Sequence, residues 1–492
     1  MARVTGPIVG GSHGWPFAAA GDGRLPEGYV EEEYFLEGHA VQYALAPGGE
    51  YAHDGRWDVV AREPSRFRTR FLVRRPVDPA RFSGTVVVNW NNVSLGFDFV
   101  GRLRDAESEV IASGGAWVGA SVQKVGLDGL PDAGARGLIG WDRERYGTLS
   151  ILHDDASFDI FTQIADAIGP DRTGADTGAD AGTGTGADTG TGTGADTVDP
   201  MGGLVVERLL AAGESQSACR LATYYNAIQP VTQRFDGFLL IVYAGGGTRI
   251  EAAGPGPALD SIPEELRSVI NILPFGSHRL RPDLATPALV LNSETEVLWY
   301  LPVRQPDTRT HRLWEVAGTA HLDGGFGEGM EAEWQRDFGE VVSMPLIEAV
   351  AGPPNTLSYD PAANAALRHL WSWMKDGVPP PEQARVELAA KPASGSQPEL
   401  LRDEFGNAIG GIRLPDFAVP TATHVGASVG PVPDLAGTST PFTPERLRAL
   451  YPDHAAYVER YERAVDEGLA KGILLEEDAQ RLRERAAAAP VP

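Results

Sequence analysis

Cysteine is almost missing from this sequence: Cys219 is the only one in 492 residues. That excludes an intramolecular disulfide framework and any metal site built from several thiolates. Long apolar runs are missing too. No stretch approaches the roughly 18–20 residues that a membrane-crossing helix needs. The first residues, "MARVTGPIVGGSHGWPF", hold one early Arg but no apolar core of a secretory signal. A cytoplasmic protein without a membrane partner is expected. Basic residues are the minority charge, 42 Lys and Arg against 67 Asp and Glu, for a formal net charge of -25. Such a surface repels nucleic acid and anionic lipid, so neither is expected as a partner. There is no H-E-x-x-H, and the glycines of "YAGGGTR" (Gly245 to Gly247) lack the G-x-G-x-x-G spacing. No metal and no cofactor are expected, and the glycine segment reads as a loop lining a site.

What is present is an alternation of strands and helices. "YVEEEYFLEGHAVQYAL" and "RTRFLVRRP" mark a β-rich beginning. "GTVVVNWNNV" and "AWVGASVQ" are apolar without alternation, as strands buried on both faces are. "DAESEVIASGG" and "ASFDIFTQIADAIGP" read as helices stopped at glycine. Thr173 to Thr197 hold no side chain larger than Thr or Asp, so this block cannot build a core, and a disordered insertion at 171–199 is expected. The alternation then resumes through "LVVERLLAAG", "SQSACRLATYYNAI", "FDGFLLIVYA", "TPALVLNS" and "HRLWEVAG", and "PAANAALRHLWSWMKDG" is a further helix. This order predicts an α/β fold with a mainly parallel central sheet and helices on both faces. The expected divisions are a β-rich extension over 1–80, a core over 81–380 and a C-terminal segment over 381–492. In the helical tail, Leu447, Leu450, Tyr457 and Tyr461 read as a packing face.

Three serines compete as nucleophile. "GASVG", Gly426 to Gly430, matches the elbow pattern G-x-S-x-G fully, whereas "GESQS", Gly213 to Ser217, ends in Ser. With 59 glycines a loose match arises by chance, so context decides. An elbow needs a strand before it and a helix after it. Ser428 is followed by Pro431 and Pro433, and Ser121 has no helix behind it. Ser215 has the strand "VVERLLAA" before it and "SACRLATYYNAI" after it. On this segment alone, an ordinary N-cap serine is an equal reading.

A serine hydroxyl needs a base, and the base an orienting acid, which follow in the order Ser, acid, His. "TPALVLNSETEV" ends in Glu294 and Glu296, with Glu296 the better placed and Glu294 the alternative. "RLWEVAGTAHLDGG" presents His321 in a glycine-rich loop, while His311, His369, His424 and His454 lack a strand–loop setting. For the oxyanion hole, one donor is the Gln216 main-chain N–H. The second is expected from Asn91, Asn92 or Val93, with Asn92 chosen.

The segments "AAGESQSA", "NSETEV", "VAGTAHLD" and "RDEFGNAIGGIRLPDFAVPTATHVG" together resemble a large bacterial family of α/β-hydrolase-domain proteins with a GESQS elbow. The resemblance runs from "VTGPI" to the C-terminal helices and implies an α/β-hydrolase fold with Ser215, Glu296 and His321 in the family's three positions. Many members carry Asp where this chain has Glu296, and the Thr/Gly/Ala/Asp block lies outside the family pattern. The function expected is a serine carboxylester hydrolase acting on a small-molecule ester. An acyltransferase or lactonase with the same triad, or a silent binding protein, are the alternatives. Trp90, Phe97, Phe99, Trp299 and Tyr300 suggest an apolar group on the substrate.

Overall fold

The computed structural model of the protein describes residues 2–21, 25–100, 103–130, 136–172, 198–251, 275–322, 325–340, 342, 353–390, 398–426 and 435–491, with 103–107 and 325–329 in backbone only. The block 173–197 and Ser428 lie outside the described residues.

Five segments open the fold: β1 (Arg3–Thr5), β2 (Tyr29–Ala40), β3 (Tyr43–Leu45), β4 (Val59–Ala61) and β5 (Ser65–Pro76). The central strands are β6 (Thr85–Trp90), β7 (Ala116–Ala120), β8 (Ser150–Ile151), β9 (Arg208–Glu214), β10 (Gly237–Ile241), β11 (Ala288–Ser293) and β12 (His311–Val316). A late ribbon pairs β13 (Ala422–Val425) with β14 (Thr438–Pro441). The main sheet runs β1-β2-β5-β7-β6-β9-β10-β11-β12, with β8 beside β5. Every pairing from β7 to β12 is parallel. The strands β1, β2, β5 and β8 pair antiparallel and extend the sheet at the N-terminal side.

The sheet is mainly parallel because its central strands are apolar on both faces, a pattern stable only under helices on each side. Along β9, Leu209 and Ala211 join one core while Leu210 and Ala212 join the other. Seven helices carry the two layers: α1 (Leu103–Ala112), α2 (Ser157–Ile168), α3 (Gln216–Thr223), α4 (Gly325–Phe338), α5 (Asp360–Asp376), α6 (His454–Ala470) and α7 (Glu476–Ala488). Residues of α2, α3 and α4 pack in the first core, and residues of α1, α5, α6 and α7 in the second. The α5 helix starts with Pro361 in its first turn and stops at Gly377, whose φ of 70° suits a left-handed C-cap. In the tail, Tyr457 and Tyr461 are buried and Leu447 and Leu450 pack partly buried against the same core, as the sequence pattern predicts. No helix among the described residues is long and apolar enough to cross a membrane.

The strand before Ser215 starts at Arg208, not at Val205, because its neighbour β6 starts at Thr85 and Thr85 pairs with Arg208. Val205 and Val206 have no ladder to join.

Candidate active site

At the C-terminal end of β9 the chain turns at Ser215 into α3. Ser215 has φ 55° and ψ -114°, a conformation that costs a non-glycine residue about 1–3 kcal/mol. The turn is held by main-chain bonds: Ser215 N–H donates to Ile241 O (2.9 Å), and Cys219 N–H donates to Ser215 O (3.1 Å). The Ser215 side chain makes no capping hydrogen bond, so it is not acting as an N-cap serine. Strand and helix approach closely here. A Cβ on Gly213 would lie 2.9 Å from Leu221 Cδ1 and 3.0 Å from the Ser217 carbonyl.

Ser217, where the usual pattern has glycine, uses its hydroxyl locally. Its Oγ accepts from Glu214 N–H and donates to Glu214 O, both at 2.9 Å. The hydroxyl satisfies the residue before the strained turn, a role glycine cannot fill.

The end of β11 separates two buried carboxylates that are two residues apart. Glu296 Oε1 lies 2.7 Å from His321 Nδ1, and its Oε2 accepts from the Ser293 N–H (3.0 Å) and hydroxyl (2.6 Å). Glu294 points elsewhere. It accepts from Gly318 N–H (2.7 Å), Arg402 Nη2 (2.9 Å) and Gly426 N–H (3.1 Å). His321 sits in the loop after β12, and its N–H donates to Thr295 Oγ1 (3.0 Å), whose own hydroxyl donates to Gly426 O (2.6 Å). Burial lowers the His321 pKa, but the carboxylates of Glu296 and then Glu214 outweigh burial and hold it above 6.5. Glu214, the residue before Ser215, is thus one of the charges acting on the histidine in the loop after β12. Ser215 Oγ makes no hydrogen bond to His321 among the described contacts; such bonds commonly tighten only with substrate in place.

The loop after β6 corrects one sequence expectation. The Asn92 N–H donates to Phe99 O (3.0 Å), and Phe99 N–H returns to Asn92 O (2.9 Å), so the Asn92 N–H is not available to an oxyanion. Asn91 N–H is also committed, to Ala120 O (3.2 Å). The Val93 N–H and the Gln216 N–H have no acceptor among the described residues. The chain reversal that brings Phe99 back to Asn92 takes the middle donor of the three and leaves the last.

Several residues that hold this arrangement carried no sequence motif. Ser293 directly precedes the two glutamates and Thr295 lies between them. Gly426, the first residue of the full "GASVG" match, is a packing glycine: a Cβ there would meet the Thr319 carbonyl and stand 2.8 Å from Glu294 Cβ. The aromatics divide. Trp90 packs on Phe158 and Phe161 in the core, Tyr300 is buried against Tyr243, and Trp299 is on the surface. Phe97 and Phe99 instead line a narrow cleft with Phe17, Arg74, Met330 and Trp334. The Gly245–Gly247 loop packs on Trp57, Tyr300 and Thr223, at the far end of α3 from Ser215. Cys219 is buried, which pushes its thiol up to about 12 and removes it as a rival nucleophile. Among the described residues no group of three or more His, Cys, Asp or Glu side chains converges as metal ligands would.

A mainly parallel sheet covered on both faces, with a strained serine between strand and helix at its C-terminal edge, defines the α/β-hydrolase class. The profile of the alpha/beta hydrolase domain family matches residues 4–484, and the chain belongs to that family. No curated protein is significantly similar in sequence. Solved structures with some likeness include a prolyl endopeptidase at 11% identity and TM-score 0.29, covering 64% of this chain and 38% of that one. The chain thus spans well under half of that enzyme. Another is a fungal esterase from Rhizomucor miehei at 11% identity and TM-score 0.30, covering 72% of this chain and 86% of that one. A third is a hyperthermophilic esterase from the archaeon Pyrobaculum calidifontis at 14% identity and TM-score 0.26, covering 56% and 74%.

Proposed function

We propose that the protein is a serine hydrolase that cleaves small-molecule carboxylic esters through an acyl-enzyme. The observation that carries this reading is the Ser215 backbone: φ 55°, with no capping hydrogen bond from its hydroxyl among the described residues, at the C-terminal end of the sheet where Glu296 holds His321 by Nδ1. With Nδ1 engaged, Nε2 is the basic nitrogen. It takes the Ser215 proton as Oγ attacks the ester carbonyl. The oxyanion is held by the N–H groups of Gln216 and Val93. The tetrahedral intermediate collapses, His321 passes the proton to the departing alcohol, and an acyl-Ser215 remains. Water then enters, gives its proton to Nε2 and attacks the acyl carbonyl, and the carboxylic acid leaves as the proton returns to Ser215. Glu296 orients the ring and stabilises the imidazolium formed in both halves.

The test is Ser215→Ala on p-nitrophenyl esters, together with labelling by a fluorophosphonate probe. Turnover should fall by about 10⁴–10⁶-fold and labelling should vanish. A variant with undiminished turnover overturns the proposal.

A further inference from the structure

The oxyanion donors come from two separate elements, the loop after β6 and the elbow after β9. Those strands are neighbours, but their ladder ends at the pair Asn89 and Ala212. Beyond it, Asn92 Nδ2 reaches across and donates to Glu214 O at 2.9 Å. On its other side, Asn92 Oδ1 accepts from Ser94 N–H at 2.8 Å. Its main-chain N–H and C=O are paired with Phe99. The side chain is buried at 3% exposure, and each of its polar groups faces a complementary partner. The amide has one workable orientation, since a flip would set NH₂ against the Ser94 N–H and oxygen against the Glu214 carbonyl. Glu214 O therefore receives both Asn92 and Ser217, from opposite elements, one residue before the nucleophile.

We infer that Asn92 is a positioning residue that locks the loop carrying the Val93 N–H to the elbow carrying Ser215 and the Gln216 N–H. The inference rests on the proposed ester hydrolysis. Donors that stabilise a developing oxyanion must hold their place to a fraction of an ångström, and two loops on separate strands do so only if something spans them.

Three variants of the full chain test this on p-nitrophenyl acetate, with melting curves to show that each is folded. In Asn92→Ala the lock is lost; kcat should fall about 10–100-fold with KM changed less than about threefold. Asn92→Gln keeps the amide but is one methylene longer, so it should show the same split. Asn92→Asp carries a pH signature. Ionised, it sets a carboxylate against the Glu214 carbonyl. Protonated, its O–H replaces the amide N–H and its C=O still accepts from Ser94. The ratio of N92D to wild-type kcat should therefore rise as pH falls, while the N92A ratio stays flat. Wild-type kcat in N92A and N92Q, a loss confined to KM, or a flat N92D ratio each overturns the inference. Undiminished turnover in Ser215→Ala would instead remove the proposed reaction, whereas an inactive S215A beside normal Asn92 variants removes only the lock.

Discussion

The proton affinity of His321 sets the pH behaviour expected of the site. Burial disfavours its charged form, but Glu296 and Glu214 favour it more strongly, and its pKa stands above 6.5. A general base must be neutral, so kcat/KM should rise with pH along a limb centred above 6.5. Glu296→Gln removes the main charge that raises this pKa and the acceptor that selects the ring tautomer. Its limb should move to lower pH, and kcat should fall about 10³–10⁴-fold. A pH–rate profile of both proteins measures this; coincident limbs would count against the assignment of Glu296. At this scale the sequence was informative about context and weak about geometry. Chain order pointed to Ser215, a glutamate and His321, and distance past the apolar run favoured Glu296, which meets the histidine, over Glu294, whose separate partners no spacing indicates. Nor could spacing say which N–H survives in "WNNVS", because the bond that consumes the Asn92 donor comes from Phe99, after a reversal no local pattern encodes. Ser217 read as a tolerated substitute for glycine, and its bonds to Glu214 became visible only with the elbow built.

At the scale of elements, the end of β11 works as a junction. Glu294 gathers donors from the loop after β12 (Gly318) and from two distant segments (Arg402 and Gly426). A buried carboxylate with three donors is a structural clamp. Glu294→Gln leaves an NH₂ group facing at least one of those donors. Stability to denaturant should fall by about 2–3 kcal/mol, while kcat/KM at low temperature stays within about tenfold of wild type. Urea titration and steady-state kinetics check the two halves. A kcat loss as deep as that of Glu296→Gln would mean that both glutamates serve His321. The strands of this junction were legible, since "TPALVLNS" and "HRLWEV" are short, apolar and buried on both faces. The clamp was not, because its partners come from remote chain that composition gives no reason to bring there.

For the whole molecule, buried histidines such as His311 and His424 should weaken acid tolerance. Burial holds His311 and His424 at about 4, against 6.5 for the free side chain. His311 is buried, and His424 meets Ser439 Oγ at 2.8 Å. Both pKa values are lowered on folding, so the unfolded chain binds the extra protons. The stability each neutral ring allows is whole above pH 6.5 and is lost as pH falls from there towards 4. The loss is on the order of 2–3 kcal/mol per histidine. Urea titrations between pH 7.5 and 4.5 should show that slope, and His311→Gln should reduce it by about one proton. A slope unchanged by the substitution would contradict this. The two-layered sheet was the most legible feature of the chain, because continuous apolar strands alternating with helices leave few other solutions. The ribbon of β13 and β14 was not, since "TATHV" and "TSTP" lack the apolar content that marks a strand.

That ribbon bears on how the protein is made. Ser215, Glu296 and His321 all leave the ribosome before Arg402 and before Gly426, whose groups hold Glu294 and Thr295 in place. A nascent chain that ends after α5 carries every side chain proposed to react and lacks the straps on Glu294 and Thr295. Synthesis from the N-terminus thus makes the strands of the β11 junction before the segments that clamp Glu294 and Thr295, so the junction gains these bonds only once that later chain has docked.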